Sequence, residues 1–317
     1  MNVPSPEAKM GKKSEIEVEG KTLTVSNLEK ILYPEVGFTK AQVIDYYIRI
    51  APVLLPYLRR RPITLKRYPD GVEGFFFYEK QCPVHRPDWV KTATVASERR
   101  ESKQIDYCVI DSLPALVWAA NLADLELHTF LHKAPAIQQP NFLAFDLDPG
   151  PGADIVTCCQ VGLWLNDVLS DLGLEAFPKT SGSKGLQVFA PLNGRVTYAK
   201  TKPFAHALAE LLELEHRDLV VSKMEKALRK GKVLIDWSQN DDHKTTINVY
   251  SLRAKSTPTV STPVTWDEVR SCLKANAPDQ LRFSSEVVLE RVKKLGDLFT
   301  PVLGMKQKLP SLKSISL

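Results

Sequence analysis

Residues 142–150 read Phe142-Leu-Ala-Phe-Asp146-Leu-Asp148-Pro149-Gly150. This is a strand pattern, because side chains alternate faces along a strand. Asp146 and Asp148 therefore share one face, and Phe145 and Leu147 take the other. Two carboxylates roughly 7 Å apart at their Cα atoms repel and raise each other's pKa. A divalent cation between them removes that cost, and carboxylate oxygens favour Mg²⁺ or Mn²⁺. Pro149-Gly-Pro-Gly152 ends the strand and leaves the pair near an open edge. The plainer account of an isolated Asp-x-Asp is two solvated aspartates capping a turn.

A second segment, Val233-Leu-Ile-Asp236-Trp-Ser238, places one aspartate inside an otherwise apolar strand, with Leu234, Asp236 and Ser238 on one face. Burying that carboxylate without a partner is expensive. A metal shared with Asp146 and Asp148 supplies one; a salt bridge to Arg229 or Lys232 is the alternative.

Working outward, residues 15–25 alternate polar and apolar as an edge strand or hairpin does. Ser26-Asn-Leu-Glu29 is a capping-box pattern that opens a short helix stopping at Pro34, and Thr39-Lys-Ala-Gln42 opens a longer one with Val43, Tyr46, Tyr47 and Ile50 inward. Residues 62–90 read as strands and loops. Residues 105–130 hold a strand (Tyr107–Ile110) and then a helix through Leu116, Ala119 and Ala120. A long helix runs from Asp154 to Gly173, strands flank a Gly/Ser loop at 180–185, and helices fill about 202–230. Further strands cover Val233–Trp237 and Thr245–Tyr250, and Thr265-Trp-Asp-Glu268 caps another helix. The interleaving predicts an α/β (α+β) fold. Its central mixed or antiparallel sheet carries the aspartates, with flanking helices and a smaller N-terminal module. The expected division is a flexible arm at 1–14, a domain at 15–303 (module about 15–90, catalytic core about 91–303), and a loose basic tail or linker at 304–317.

Composition sets broad bounds. The 317 residues are 44% hydrophobic and 25% charged, with a net charge of +5 and a pI near 8.8, compatible with a polyanionic partner. No apolar run is long enough to cross a bilayer and no secretory segment opens the chain, so the cytoplasm, with no membrane partner, is the expected location. The five cysteines, Cys82, Cys108, Cys158, Cys159 and Cys272, include no C-x-x-C pair and read as structural thiols in a reducing compartment.

Several groups suit a phosphorylated ligand. Thr180-Ser181-Gly-Ser-Lys184-Gly185 combines glycines, which let backbone N–H groups approach an anion, with a lysine. A plain hairpin loop explains it equally well. Lys30 and Lys40 lie at consecutive predicted helix starts, where free N–H groups attract anions. Arg59-Arg-Arg61 and Lys66-Arg67 precede Gly74-Phe-Phe-Phe77-Tyr78-Glu-Lys80, an interleaving of charge and aromatics that a base-stacking groove needs. Alternation would send about half of those aromatics into the core. His128 is a candidate nucleotide contact, although a lone histidine is more often structural.

Together these segments resemble the polymerase domain of bacterial DNA ligase D, of the archaeo-eukaryotic primase superfamily, used in non-homologous end joining. The resemblance covers roughly residues 20–303. It rests on Ser26–Pro34, Arg61-Pro62 with Lys66–Gly71, Phe77–Lys80, Pro87–Trp89, Phe145–Pro149, Thr180–Leu186, Ile235–Asn240 and Tyr250–Arg253. It implies a primase-polymerase fold and template-directed synthesis that fills gaps and extends ends at double-strand breaks. Asp146, Asp148 and Asp236 would be the catalytic metal ligands for two ions, Mn²⁺ or Mg²⁺. Ser181, Lys184, Arg229 and Arg253 would contact an incoming NTP or dNTP, with ribonucleotides preferred and His128 nearby. Lys30 and Lys40 would hold a downstream 5′-phosphate on gapped or broken DNA. Phe77 and Tyr78 would stack on template bases, with Arg67 alongside. Ku and a DNA ligase are the partner proteins it suggests. Gln187 stands where relatives often carry His, and Tyr78 where Phe is common. With no room for ligase or nuclease modules, the chain reads as a stand-alone protein or an excised domain. Competing readings are a primer-independent primase, a non-catalytic end-binding scaffold and a carboxylate-pair hydrolase; the last would leave the lysines without a purpose.

Overall fold

The computed structural model describes residues 13–96 and 104–315, so most of the arm expected at 1–14 lies outside the described residues. The chain opens with a hairpin, β1 (Lys13–Val18) and β2 (Lys21–Ser26), followed by short strands β3 (Ile31–Tyr33) and β4 (Phe38–Thr39). The helix expected from Ser26 to Pro34 is absent. Ser26 closes the first hairpin, paired with Lys13, and residues 27–29 form a turn. The stretch before Pro34 is too short for local hydrogen bonds to offset the cost of helix nucleation.

The Thr39 capping box does form: its hydroxyl accepts from the Gln42 N–H, and the Gln42 side chain returns the bond. It starts α1 (Lys40–Leu58), whose inward face holds Val43, Tyr46, Tyr47 and Ile50. Then come β5 (Pro62–Arg67), β6 (Phe77–Glu79), β7 (Lys91–Ala96), β8 (Gln104–Val109), α2 (Leu113–Asn121) and β9 (Asp124–Thr129). The second half of the chain follows with β10 (Phe142–Pro149), α3 (Ile155–Asp171), β11 (Phe177–Thr180), β12 (Leu186–Pro191) and α4 (Tyr198–Glu215). It continues with β13 (Val220–Val221), β14 (Val233–Asp236), β15 (Thr246–Ile247), β16 (Leu252–Ala254), β17 (Pro258–Val260), α5 (Trp266–Ala275), α6 (Ser285–Leu295) and α7 (Pro301–Gly304). The helical reading of 202–230 holds only to Glu215; beyond it lie β13 and a 3₁₀ turn at Lys226–Arg229.

Two sheets organise the molecule. A five-stranded sheet runs β11-β12-β10-β14-β13, antiparallel except for the β13–β14 pair, and a six-stranded antiparallel sheet runs β15-β9-β5-β8-β7 with β6 beside β5. The second sheet draws strands from residues 62 to 247, so it crosses the module boundary expected near residue 90. The Leu147 face of β10 packs on α3, where Gly162 allows close approach: a Cβ there would meet Leu186 Cδ2 at 2.9 Å and Leu147 Cδ1 at 3.4 Å. The opposite face is left to the aspartates.

Two further expectations fail. Cys82 and Cys108 form a disulfide, with Cα atoms 4.8 Å apart, rather than remaining thiols. Their separation of 26 residues hides the pairing; strand β5 brings them together by pairing with both β6 and β8. Cys158, Cys159 and Cys272 are free and buried. The tail is packed as far as residue 315. Gln307 donates to the carbonyls of Glu175 and Pro191 and accepts from the Glu175 N–H, and Asn193 donates to the Met305 carbonyl.

Candidate active site

The register places a row of polar groups across four strands. Asp146 pairs with Gln187 of β12 on one side and Asp236 of β14 on the other, and Gln187 pairs with Lys179 of β11. Directly opposed residues of antiparallel strands point to the same face, so Lys179, Gln187, Asp146 and Asp236 line up, and Asp148 lies one step along β10. The strand ends at Asp236. Residues Trp237–Gln239 turn into a 3₁₀ helix, so Ser238 does not extend the strand face as expected. Instead it folds back: the Ser238 N–H and hydroxyl donate to Asp236 Oδ1 at 2.9 and 2.6 Å, and the Gln239 amide donates to Oδ2 at 3.0 Å. Neither alternative salt bridge to Asp236 forms, since Arg229 donates to the Met224 carbonyl and Lys232 to that of Arg217.

Burial, together with the charges of Asp148 and Asp236, holds the Asp146 carboxyl well above the usual range, against the opposing influence of Gln187 and Lys179. Asp148 is raised by burial and by Asp236, with Arg229 and Arg253 acting the other way. Asp146 Oδ1 is buried and has no hydrogen-bond partner. Such an orphaned oxygen is costly, and beside two further carboxylates it suits a hard divalent cation. Among the described residues, the group whose ligating atoms already lie within 4.8 Å of one another is instead Asp241, Asp242 and His243. That group is satisfied by Lys202, which reaches Asp241 at 2.5 Å, and by Gln138, which donates to Asp242. The Asp146 trio spreads its ligating atoms more widely than that group does. Behind it Lys179 is fully buried, donating to Gln187, to the Ile247 carbonyl at 3.1 Å and to Ser261 at 2.7 Å.

Cations gather opposite the trio. Ser181 Oγ accepts from the N–H groups of Ser183 (3.2 Å) and Gly185 (3.1 Å). Gly182 has φ +67°, and a Cβ there would come within 2.6 Å of the Ser261 nitrogen. Thr259 donates to the Gly182 carbonyl and Arg253 Nη1 to the Ser181 carbonyl, both at 2.6 Å, so the loop is bound to the β16–β17 hairpin. Lys184 is exposed at its tip. Gly150 lets the Arg229 turn close on the end of β10: a Cβ would lie 1.8 Å from the Arg229 carbonyl oxygen. His128 approaches Glu126 Oε2 at 3.0 Å, and the edge of its ring meets Tyr78 with centroids 5.9 Å apart.

The aromatic strip lies outside the core. Phe75, Phe76 and Tyr78 are 68%, 47% and 55% exposed, and Phe77 is half-buried over Arg67, so none fills the interior as alternation would predict. Arg67 is tied to Glu79 at 2.8 Å and to the Leu122 carbonyl at 2.9 Å. The Lys66 ammonium sits over the rings of Tyr68, Phe76 and Tyr78 at 5.3, 5.0 and 5.4 Å. Lys30 lies in a turn rather than at a helix start and pairs with Asp70 at 3.0 Å. Lys40 does begin a helix; it is buried and donates to the Ser26 carbonyl at 2.7 Å. Burial, with Lys30 and Arg67 nearby, lowers its pKa to about 8.

The sequence reading assigns Glu126 no role and places Lys66 only among the basic residues of the stacking groove, not in an ion pair with Glu126. Asp124-Leu-Glu126-Leu-His128 carries the two-residue period of a strand, which sets Glu126 and His128 on one face. The buried Lys179 had no such signal.

The chain matches the family described as "LigD, primase-polymerase domain" over residues 39–299. It is 40% identical over 288 residues to the multifunctional non-homologous end joining DNA repair protein LigD of Mycobacterium tuberculosis, covering 87% of this chain and 36% of that one. It is 30% identical over 275 residues to the bifunctional non-homologous end joining protein LigD of Bacillus subtilis, covering 86% and 43%. The chain thus spans less than half the length of these relatives. The solved polymerase domain from M. tuberculosis ligase D, in complex with DNA, superposes with a TM-score of 0.83 at 38% identity, covering 90% of this chain and 99% of that one. With its mixed α/β architecture and the match extending over most of its length, the chain belongs to the LigD primase-polymerase domain family.

Proposed function

We propose that the protein is a template-directed nucleotidyltransferase that fills gaps and extends ends at DNA double-strand breaks, preferring NTPs over dNTPs. The observation that carries this is the pairing of Asp146 with Asp236, with Asp148 on the same face and a buried Asp146 oxygen left unsatisfied. Asp146, Asp148 and Asp236 are the residues to hold divalent cations, Mn²⁺ or Mg²⁺. When bound, two such ions supply Lewis-acid stabilisation of the attacking 3′-oxygen and the departing pyrophosphate. Arg253, Arg229 and Lys184 offset charge on the triphosphate. The half-buried Phe77 and the exposed Tyr78 offer stacking surfaces to template bases, and Lys30 and Lys40 flank a site for a downstream 5′-phosphate. DNA binding is supported by the likeness to a polymerase domain solved with DNA. Ku and a DNA ligase are the proposed partners, acting on chromosomal DNA in the cytoplasm.

Primer extension on gapped DNA tests this, with and without a 5′-phosphate, comparing Mn²⁺ with Mg²⁺ and NTPs with dNTPs. Extension that is lost in Asp146→Ala and Asp236→Ala is expected. Full activity in either variant would overturn the metal assignment. Synthesis on a bare single strand would favour a primer-independent primase instead.

A further inference from the structure

Glu126 is 1% exposed and carries more charged contacts than any aspartate of the trio. Its Oε1 accepts from Arg253 Nε at 3.2 Å and from the Ala254 N–H at 3.0 Å; its Oε2 meets Lys66 Nζ and His128 Nε2, each at 3.0 Å. The three partners come from three separate strands: the cations Lys66 from β5 and Arg253 from β16, and His128, which burial pushes toward its neutral form, from the same β9 as Glu126. Burial alone would raise the Glu126 carboxyl. The hydrogen bond from His128 and the charges of Arg253, His128 and Lys66 outweigh it and hold the group well below the usual carboxylate range.

The surroundings explain why an anion is needed there. Lys255 is lowered by burial and by Arg253, Lys66 and Lys184, which marks the region as crowded with positive charge. Without a counter-ion the long side chains would splay into solvent, since like charges at close range repel. Glu126 takes the Nε edge of the Arg253 guanidinium and the Ser181 carbonyl takes Nη1, leaving Nη2 without a hydrogen-bond partner among the described residues. On the far side Lys66 lies over the rings of Phe76 and Tyr78, and Tyr78 touches His128. One carboxylate therefore connects the anion loop to the aromatic strip.

We infer that Glu126 is a positioning residue: it locks Arg253, His128 and Lys66 into one hydrogen-bonded unit that sets the nucleotide-phosphate cations in register with the template-facing aromatics. It acts through those side chains and touches no reacting atom. The inference rests on the reading of this cleft as a nucleotide site.

The test is Glu126→Gln, which keeps shape and removes charge, beside Glu126→Asp, which keeps charge but withdraws it by one methylene. Steady-state extension is measured as kcat and KM for ATP on gapped DNA, and ATP–Mn²⁺ binding is measured by calorimetry. Weakening a charge-assisted contact predicts that KM and Kd rise about tenfold or more in Glu126→Gln. The expected kcat of the folded fraction stays within about threefold. Glu126→Asp is expected to recover part of that loss, and it carries the test alone if the Gln variant is insoluble. Arg253→Ala added to Glu126→Gln should cost little beyond either single change, since both disturb one unit. A fall in kcat with KM and Kd unchanged would reduce Glu126 to a stability residue and overturn the inference. If wild type extends primers and Arg253→Ala weakens ATP binding while both Glu126 variants bind normally, the inference fails and the polymerase reading stands. If wild type extends nothing, the calorimetric series alone decides. If it binds no ATP, inference and reading fall together.

Discussion

Asp146 and Asp236 are register partners on adjacent antiparallel strands, two carboxylates facing each other from positions far apart in the chain. Burial and the charges of Asp148 and Asp236 oppose ionisation of Asp146, and nothing among the described residues satisfies its Oδ1. The fold thus holds a destabilising feature at the point where the proposed chemistry needs affinity for a cation.

Asp146→Asn should therefore abolish extension and stabilise the metal-free protein by about 1–3 kcal/mol at neutral pH, because the neutral amide carries no buried charge for Asp148 and Asp236 to repel. The pH dependence has a definite sign. The folded pKa lies above the ordinary value of 3.8, so the contribution is fully present below that value and is lost as pH rises through the folded pKa. Wild-type melting temperature without divalent ions should fall between pH 5 and 8 more than that of Asp146→Asn, and Mn²⁺ should reverse the difference. Parallel melting curves for the two proteins would contradict this.

Lys40, lowered to about 8 by burial, Lys30 and Arg67, should lose its proton within an accessible pH range. Preference for 5′-phosphorylated over 5′-hydroxyl gapped DNA should be larger at pH 7 than at pH 9. Replacing both Lys30 and Lys40 by alanine should lower that preference about tenfold or more, given the strength of charge-assisted bonds. Binding ratios that ignore both pH and the double substitution would remove these lysines from the proposed phosphate site.

Gly150 is fixed by a backbone neighbour rather than by its own torsion angles. A methyl group there would lie 1.8 Å from the Arg229 carbonyl oxygen, whereas at Gly304 it would meet nothing within 4 Å. Gly150→Ala should displace the Arg229 turn, cost about 1–3 kcal/mol from overpacking and raise KM for NTP. Gly304→Ala is the neutral control. Equal stability and kinetics in the two variants would mean that the turn yields freely.

The tail should contribute to stability. Ending the chain after Gly304 removes the three bonds of Gln307 to Glu175 and Pro191. A loss of about 1–3 kcal/mol is expected at roughly 1 kcal/mol per bond, read as a lower denaturant midpoint. An unchanged midpoint would show that these bonds merely replace equivalent ones to water.

Sequence alone determined what a few neighbouring residues can settle. The capping box at Thr39 and the helix starts at Asp154 and Thr265 form as read, because each is settled within three residues. The shared face of Asp146 and Asp148 follows from the two-residue period of a strand. The Ser26 pattern shows where that reasoning stops, since pairing of Ser26 with Lys13 overrode a local helix signal. Tertiary structure alone decided the register that brings Asp236 to Asp146, the Cys82–Cys108 bridge, the packing of the tail, and the meeting of Lys66, His128 and Arg253 on Glu126. Each depends on strands distant in sequence arriving side by side, and the energy that selects their register is spread over the whole core rather than written in any short stretch of residues.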